Sequence, residues 1–199
     1  LTVGSDGFLY VARASGISKI SPSGTVTPIT ATFTDESRSY FDNAASVRMG
    51  LDGNLYVLDC NNGRIVRMST TGANAITFAG STTGITAHQD GTGINARFTF
   101  PIGSCMDSNG NLYTCDVNGY YIRKVTPAGV VTTVAGSGIR GFTDGVGTYA
   151  TFLGPTFIAL DIPQTSLYVS DSTAIRKIDL LTTNVITIAG SATGSSNVV

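Results

Sequence analysis

The sequence predicts an all-β fold in which a four-stranded antiparallel sheet recurs about four times along its 199 residues. A Leu-Tyr pair returns roughly every 50 residues, a spacing typical of repeated supersecondary units. Each pair lies in a short run of β-branched and aromatic residues bounded by Gly, Asn and Asp turns, while helix signals are nearly absent. The four pairs are Leu9-Tyr10, Leu55-Tyr56, Leu112-Tyr113 and Leu167-Tyr168.

The strands of each unit are expected to follow one another as a meander. The units span residues 1–30, 46–80, 101–136 and 155–190, joined by connectors 31–45, 81–100 and 137–154 and followed by a tail, 191–199. Strands are predicted at residues 47–51, 55–60, 64–68 and 75–79 of the second unit and at 102–107, 112–116, 121–125 and 130–135 of the third. The turns between them use Gly and Asn because these residues tolerate positive φ.

Charged residues recur at two fixed places in the units. An aspartate closes the second strand in three units, at Asp59, Asp116 and Asp171, whereas the first unit has Arg13 there. A basic residue recurs in the third strand, at Lys19, Arg67, Lys124 and Lys177. The aspartates could converge on a central channel, but their regular recurrence favours a role in building the units. We expect the basic residues to pair with aspartates of the sheets.

One such sheet exposes both faces, so its apolar residues become buried only when neighbouring units stack against it. Repeated four-stranded units of this kind are typical of β-propeller blades. The motifs Asp-x-x-Gly-Asn-Leu-Tyr, Ile-Arg-Lys-Val/Ile and Val-Thr-Thr-Val-Ala-Gly-Ser-Gly resemble NHL repeats, with the best match at residues 101–136.

The resemblance implies a β-propeller of four-stranded blades, with about four blades present. NHL propellers often have six blades, so we expect the chain to be part of a larger or assembled propeller array. Members of the family include RNA binders, extracellular lyases, receptor sensors and structural segments. The resemblance therefore implies no single activity.

Two of the connectors share a pattern, which runs from Asp90 to Phe98 and from Asp144 to Phe152. Either aspartate could supply an oxygen to calcium, but one carboxylate per loop is far short of the roughly six to eight oxygens that calcium takes. We favour the alternative in which the aspartates cap tight turns while the two phenylalanines fill the space between blades. No cofactor is expected beyond this weak calcium hypothesis.

Composition argues for an extracellular setting and against nucleic acid. Charged residues make up 13%, about half the usual ~25%, and 12 Lys and Arg balance 13 Asp and Glu. No apolar stretch is long enough to span a membrane. No Asn-x-Ser/Thr sequon occurs, so glycans would be O-linked, on loops such as Ser81-Thr82-Thr83 or residues 191–196.

The three cysteines, Cys60, Cys105 and Cys115, all lie in predicted strands. Cys105 and Cys115 flank one hairpin and could face each other across adjacent strands. A Cys105–Cys115 disulfide is one hypothesis for a secreted protein, and buried apolar thiols are the other.

Catalytic patterns are poorly supported. The sole histidine, His88, cannot assemble a His-rich zinc site of the kind used by amidating lyases of this fold. We expect a non-enzymatic extracellular module, a rigid platform for protein contacts or for self-assembly into a larger, even filamentous, structure. The alternatives are part of a lyase or hydrolase whose metal ligands lie outside this segment, and a ligand-sensing ectodomain.

The connectors are the candidate binding face, because loops on a rigid scaffold commonly carry recognition. Phe142 and Tyr149 are the candidate anchors, with His88, Asp90 and Asp144 beside them. The alternative for the two aromatic residues is that they pack beneath their own loops.

Overall fold

The computed structural model describes residues 1–35 and 38–193, and their regular secondary structure is almost entirely β-strand. Each of the four expected units forms a sheet of four consecutive antiparallel strands, so the predicted fold class is confirmed. Blade 1 contains β1 (Thr2–Val3), β2 (Leu9–Arg13), β3 (Gly16–Ile20) and β4 (Val26–Ile29). Blade 2 contains β5 (Ala44–Met49), β6 (Leu55–Asp59), β7 (Arg64–Met68) and β8 (Ile76–Gly80).

Blades 3 and 4 repeat this order. The connector between blades 2 and 3 contains β9 (Gly91–Thr92) and a 3-10 turn, Gly93–Asn95. Blade 3 contains β10 (Pro101–Met106), β11 (Leu112–Asp116), a 3-10 turn (Val117–Gly119), β12 (Tyr121–Val125) and β13 (Val130–Ala135). The next connector contains β14 (Gly145–Val146) and a 3-10 turn, Gly147–Tyr149. Blade 4 contains β15 (Pro155–Leu160), β16 (Ser166–Asp171), β17 (Ala174–Asp179) and β18 (Asn184–Gly190).

The chain forms two compact units. Unit 1 comprises residues 1–101 and 128–130, and unit 2 comprises residues 102–127 with the described residues from Val131 onward. Each unit has its own core, made where two blades face each other. In unit 1 the core joins blades 1 and 2 through Tyr10, Ile17, Val47, Leu55, Val57 and Val66. In unit 2 it joins blades 3 and 4 through Tyr113, Ile122, Ile158, Leu167, Val169 and Ile178.

The connectors run along the outer edge of the blade that follows them. In unit 1, the backbone of Thr32 donates to the Gly72 carbonyl at 2.8 Å and accepts from the Ala75 N–H at 2.9 Å. In unit 2, β14 pairs antiparallel with β18. Such pairing covers backbone groups that an outer strand would otherwise leave open to other chains.

Each connector ends in buried apolar residues. Phe98 and Phe152 are fully buried, as are Ala96 and Ala150 two positions earlier. Phe152 belongs to the core between blades 3 and 4, as expected of a residue that fills the space between blades. Among the described residues the helical segments are short 3-10 turns, and none is long or apolar enough to span a membrane.

Candidate functional site

The third connector is tied to blade 4 by an aspartate that makes three hydrogen bonds. The Asp144 carboxylate accepts from the Thr187 backbone N–H at 3.0 Å, from the Thr187 hydroxyl at 2.9 Å and from Arg176 Nη2 at 2.8 Å. Burial favours a higher pKa for Asp144, but the hydrogen bonds from Thr187 and Arg176 outweigh it and lower the pKa below its ordinary value. The charged carboxylate is therefore the form that holds the loop in place.

Arg176 lies fully buried beneath this connector. Its Nη1 bonds the Asp171 carboxylate at 2.9 Å and the Thr151 carbonyl at 3.0 Å, and its Nη2 bonds the Thr143 carbonyl at 3.0 Å. A buried guanidinium with this many acceptors is a structural element, because each charged hydrogen bond offsets part of its desolvation cost. The arginine thus joins the connector to the second strand of blade 4.

Phe142 packs on the same arginine. Its ring centroid lies 4.8 Å from Arg176 Cζ. The ring centroid of Phe152, in the same connector, lies 5.1 Å from the same atom. Phe142 is half-buried. Of the two alternatives for this residue, the structure places it beneath its own loop.

Tyr149 is 84% exposed at the end of the 3-10 turn, although the turn itself is held by β14 and Asp144. Two further apolar side chains of this connector reach solvent, Ile139 at 69% and Val146 at 51% exposure. Exposed apolar side chains on a fixed loop form the kind of surface that binds a protein partner at low entropic cost. Ile139, Val146 and Tyr149 are named here the connector patch.

The second connector has a similar outline. Gln89 and Arg97 form a small antiparallel bridge around the 3-10 turn, and Ile94 on that turn is 53% exposed. His88 and Asp90 are both exposed at the base of this bridge. The structure therefore places these two residues on the surface of unit 1, in the same connector as the exposed Ile94.

The repeated aspartates form buried ion pairs with arginines. Asp59 meets Arg64 at 2.8 Å, Asp171 meets Arg176 at 2.9 Å and Asp116 meets Arg123 at 3.5 Å, and all six side chains are fully buried. Burial raises the pKa of Asp59 above its ordinary value despite hydrogen bonds from Asn62 and Arg64. These pairs lie inside individual blades, which supports the structural role of the aspartates.

Two of the recurring basic residues pair with aspartates of their blades, although not with the repeated aspartates. Lys19 Nζ lies 2.9 Å from Asp6, and Arg67 Nη1 lies 3.9 Å from Asp52, both aspartates being in the turn between the first two strands of a blade. Lys124 and Lys177 lie over the rings of Tyr113 and Tyr168, at 5.9 Å and 6.0 Å.

Sequence reasoning missed the three buried arginines, Arg64, Arg123 and Arg176. The available signal was the pair of adjacent basic residues, Arg followed by Lys, in the third strands of blades 3 and 4. Adjacent strand residues point to opposite faces of a sheet, so if the lysine faces solvent the arginine faces inward. Ile139 and Val146 lie within the predicted connector face, residues 139–149, but were not singled out as anchors, because their exposure depends on the fold of the connector.

All three cysteines are thiols in the structure. Cys115 is buried, and burial together with the nearby Cys105 raises the pKa of its thiol well above the ordinary value. Cys60 is buried and its Sγ donates to the Pro101 carbonyl at 2.8 Å. The Cys105–Cys115 disulfide is not formed here and stays a prediction for mass measurement with and without reductant.

Within residues 1–35 and 38–193, no three His, Cys, Asp or Glu side chains come together as a metal site would require. The carboxylate of Asp144, one of the two suggested for calcium, is already bonded to Arg176 and Thr187. Of the suggested glycan positions, Ser81 is buried and its Oγ accepts from the backbone of Thr83 and Ile85. Residues 194–196 of the other suggested loop lie outside the described residues.

Comparison with solved structures shows the same fold. An auxiliary nutrient binding protein from Bacteroides ovatus matches with a TM-score of 0.70 and 24% identity over 92% of this chain and 46% of its own. Virginiamycin B lyase from Staphylococcus aureus matches with a TM-score of 0.63 and 17% identity over 98% of this chain and 56% of its own.

Comparison of sequences gives the family. Teneurin-3 of Mus musculus is 30% identical over 200 residues, which cover 89% of this chain and 7% of teneurin-3, so the chain spans a small part of the length of such relatives. The family model described as the teneurin NHL domain matches residues 1–144. Together with the four NHL-like blades, this match shows that the chain belongs to the teneurin NHL domain family.

Proposed function

We propose that this chain is a non-enzymatic, extracellular interaction module, a propeller platform that contacts a partner protein or copies of itself. Membership of the teneurin NHL domain family supports a propeller of the protein-interaction type. Low charge and balanced signs favour an extracellular protein that binds neither nucleic acid nor membrane.

The exposed connector patch is the observation that carries this proposal. Tyr149 projects almost fully into solvent from a turn whose flanks are fixed by β14 and by the Asp144 hydrogen bonds. An exposed tyrosine on a fixed loop offers a large contact area with little loss of side-chain entropy. Aromatic residues of this kind are enriched among the side chains that dominate protein interfaces.

A second apolar surface supports contacts between copies. The face of blade 4 directed away from blade 3 exposes Phe157 at 74%, Ile186 at 42%, Ile188 at 38% and Ile175 at 37%. In unit 1, blade 1 exposes Val3 at 60% and Val26 at 58%. Contacts between two different surfaces of identical copies are heterologous, and they generate rings or filaments.

The test replaces one exposed apolar residue at a time. Tyr149→Ser removes the anchor of the connector patch, whereas Ile162→Ser removes an equally exposed side chain, at 99%, from the β15–β16 turn at the opposite edge of the same sheet. Binding of fluorescent tetramers of the chain to cells and sedimentation velocity over a concentration series report partner and self contacts. We expect Tyr149→Ser to weaken binding about tenfold or more, while Ile162→Ser leaves it unchanged.

Equal losses in both variants, or no binding and a monomer at every concentration, would contradict the proposal. Metal analysis of the complete protein separates it from the enzyme alternative. Stoichiometric zinc would favour a lyase or hydrolase over an interaction module.

A further inference from the structure

Unit 1 contains a cleft of about 300 Å³ between blade 1 and the connector that follows it. Blade 1 contributes Arg13, Ser15 and Ile29 to its lining, and the connector contributes Phe33, Tyr40 and Phe41. This volume lies at the lower end of the range for small-molecule sites. These residues define the Arg13 cleft.

The cleft arises because the turn between the second and third strands is small in blade 1. That turn has two residues, Ala14 and Ser15, whereas blade 3 has residues 117–120 in the same place. In unit 2, Val117 and Tyr120 of the longer turn pack against the core between the blades. Blade 1 has no side chain of comparable size to occupy the corresponding volume.

Arg13 also reverses the charge found at this position in the other blades. Asp59, Asp116 and Asp171 are buried there, each beside a buried arginine. Arg13 is exposed, and no carboxylate of the described residues lies within ion-pair distance of it. The described lining of the cleft contains no Asp or Glu. Among the described residues, the cleft therefore presents a guanidinium that no carboxylate neutralises.

The remaining groups complete a site for an amphipathic anion. The Tyr40 hydroxyl accepts a hydrogen bond from Arg38 Nη1 at 3.1 Å, which leaves its own proton available to a ligand. The rings of Phe33 and Phe41 lie 5.6 Å apart, tilted by 59°, and with Ile29 they supply an apolar wall. A cation, a hydroxyl and an aromatic wall thus belong to residues that line one small volume.

We propose that the Arg13 cleft binds a small organic carboxylate with an aromatic or similarly sized apolar body. A planar guanidinium matches a carboxylate through two parallel hydrogen bonds. The apolar body lies against Phe33, Phe41 and Ile29, and Tyr40 donates to the carboxylate or to a polar substituent. Arg13 is the one cation in the described lining, because the nearby Arg38 guanidinium is bonded to Tyr40 and Asn62 instead, and one guanidinium suits a monoanion better than a phosphate ester, which carries more charge.

The test is a titration of the ¹⁵N-labelled chain with phenylacetate, followed by amide shifts in two-dimensional NMR spectra. We expect shifts confined to residues 13–15, 29–33 and 39–41, with a dissociation constant on the order of 1 mM because one exposed ion pair contributes little by itself. Arg13→Gln should weaken binding about tenfold. Arg140→Gln, which removes an exposed arginine from unit 2, should leave it unchanged.

Two further experiments separate the contribution of the ligand's charge to binding from that of the shape of the cleft. Phenylacetamide keeps the body and loses the charge, so it should bind about tenfold more weakly, and phenyl phosphate should bind no more tightly than phenylacetate. Ser15→Tyr keeps Arg13 and fills the cleft, so it should abolish the shifts while the rest of the spectrum stays that of the folded chain. Equal binding of the amide, an equal loss in Arg140→Gln, or an absence of shifts at these residues would overturn the proposal.

Discussion

The interfaces between blades 1 and 2 and between blades 3 and 4 are built from equivalent sheets, yet they differ at the connector end. In unit 2 the turn residues Val117 and Tyr120 close the space beside the core. In unit 1 the short turn Ala14-Ser15 leaves the Arg13 cleft open. The comparison teaches that the sheets determine how blades stack, while one short turn determines whether the stack is closed.

Blades 1 and 2 also differ in whether they contain a buried ion pair. Blade 2 retains the buried Asp59–Arg64 pair, in which Arg64 Nη2 also bonds the carbonyls of Arg38 and Tyr40 at 2.8 and 2.9 Å. Blade 1 has Arg13 and Ser18 at the places that hold Asp171 and Arg176 in blade 4. Its own ion pair, Lys19 with Asp6, is exposed at the opposite end of the sheet. A buried pair therefore occurs where a connector must be fixed over the blade.

The largest expected effect comes from breaking the buried pair. Arg64→Ala leaves the Asp59 carboxylate buried without its cation and should lower the free energy of unfolding by about 3–5 kcal/mol. Arg13→Ala, in the open blade of the same unit, should change it by no more than about 0.5 kcal/mol. Urea unfolding followed by circular dichroism measures both.

A double variant tests the reason for this loss. Replacing Asp59 with Leu and Arg64 with Met removes both charges, so it should lower the free energy of unfolding by less than Arg64→Ala alone.

Equal losses of unfolding free energy in the single variants Arg13→Ala and Arg64→Ala would show that the two blades depend on their arginines alike, and the comparison would fail.

The next largest effect concerns the close packing of blades 3 and 4. At Gly103 of blade 3 an added Cβ would lie 2.2 Å from the Thr156 carbonyl oxygen of blade 4, so Gly103→Ala should destabilise unit 2 by about 1–3 kcal/mol. At Gly154 an added Cβ meets no atom within 4 Å, and Gly154→Ala should be neutral within about 0.5 kcal/mol. Thermal unfolding of the two variants should separate them, and matching midpoints would show that the blades are not in close contact at Gly103.

The smallest effect concerns the exposed pair of blade 1. Hydrogen bonds from Lys19 and Tyr10 lower the pKa of Asp6 to about 2. Because this pKa lies below the ordinary value of 3.8, the stabilisation is present above about pH 4 and disappears as the pH falls through about 2. Lys19→Met should move the Asp6 pKa upward in a ¹³C NMR titration, and Lys124→Met should not. An unchanged Asp6 pKa in Lys19→Met would show that the pair is absent in solution.

Local patterning was sufficient to predict most of the blades. The predicted ranges 112–116, 121–125 and 130–135 coincide with β11, β12 and β13, because alternating β-branched residues and Gly turns define them locally. The first strand of blade 2 was predicted to begin at residue 47 but begins at Ala44. The strand gains Ala44, Ala45 and Ser46. The two alanines have weak strand propensity, and a bulge at Ala45 lets Ala44 and Ser46 pair with β6.

Local patterning was not sufficient to predict the path of the connectors or the partners in the buried ion pairs. Arg64 and Arg176 follow their aspartates by five residues, whereas Arg123 follows by seven, so no fixed spacing identifies the pairs. Their partners are set by cross-strand register and by turn length, which are properties of the folded sheet. The same holds for Phe142, whose position over Arg176 depends on the path of the whole connector.

Phe157 limits what can cover blade 4. It follows Pro155 by two residues just as Gly103 follows Pro101, so the two residues occupy matching positions in their blades. Gly103 has room only for a hydrogen atom because the backbone of the adjoining blade passes beside it. A fifth sheet laid on blade 4 in the same manner would run its main chain through the benzyl ring of Phe157. Whatever shields that ring from water must approach at another angle or separation.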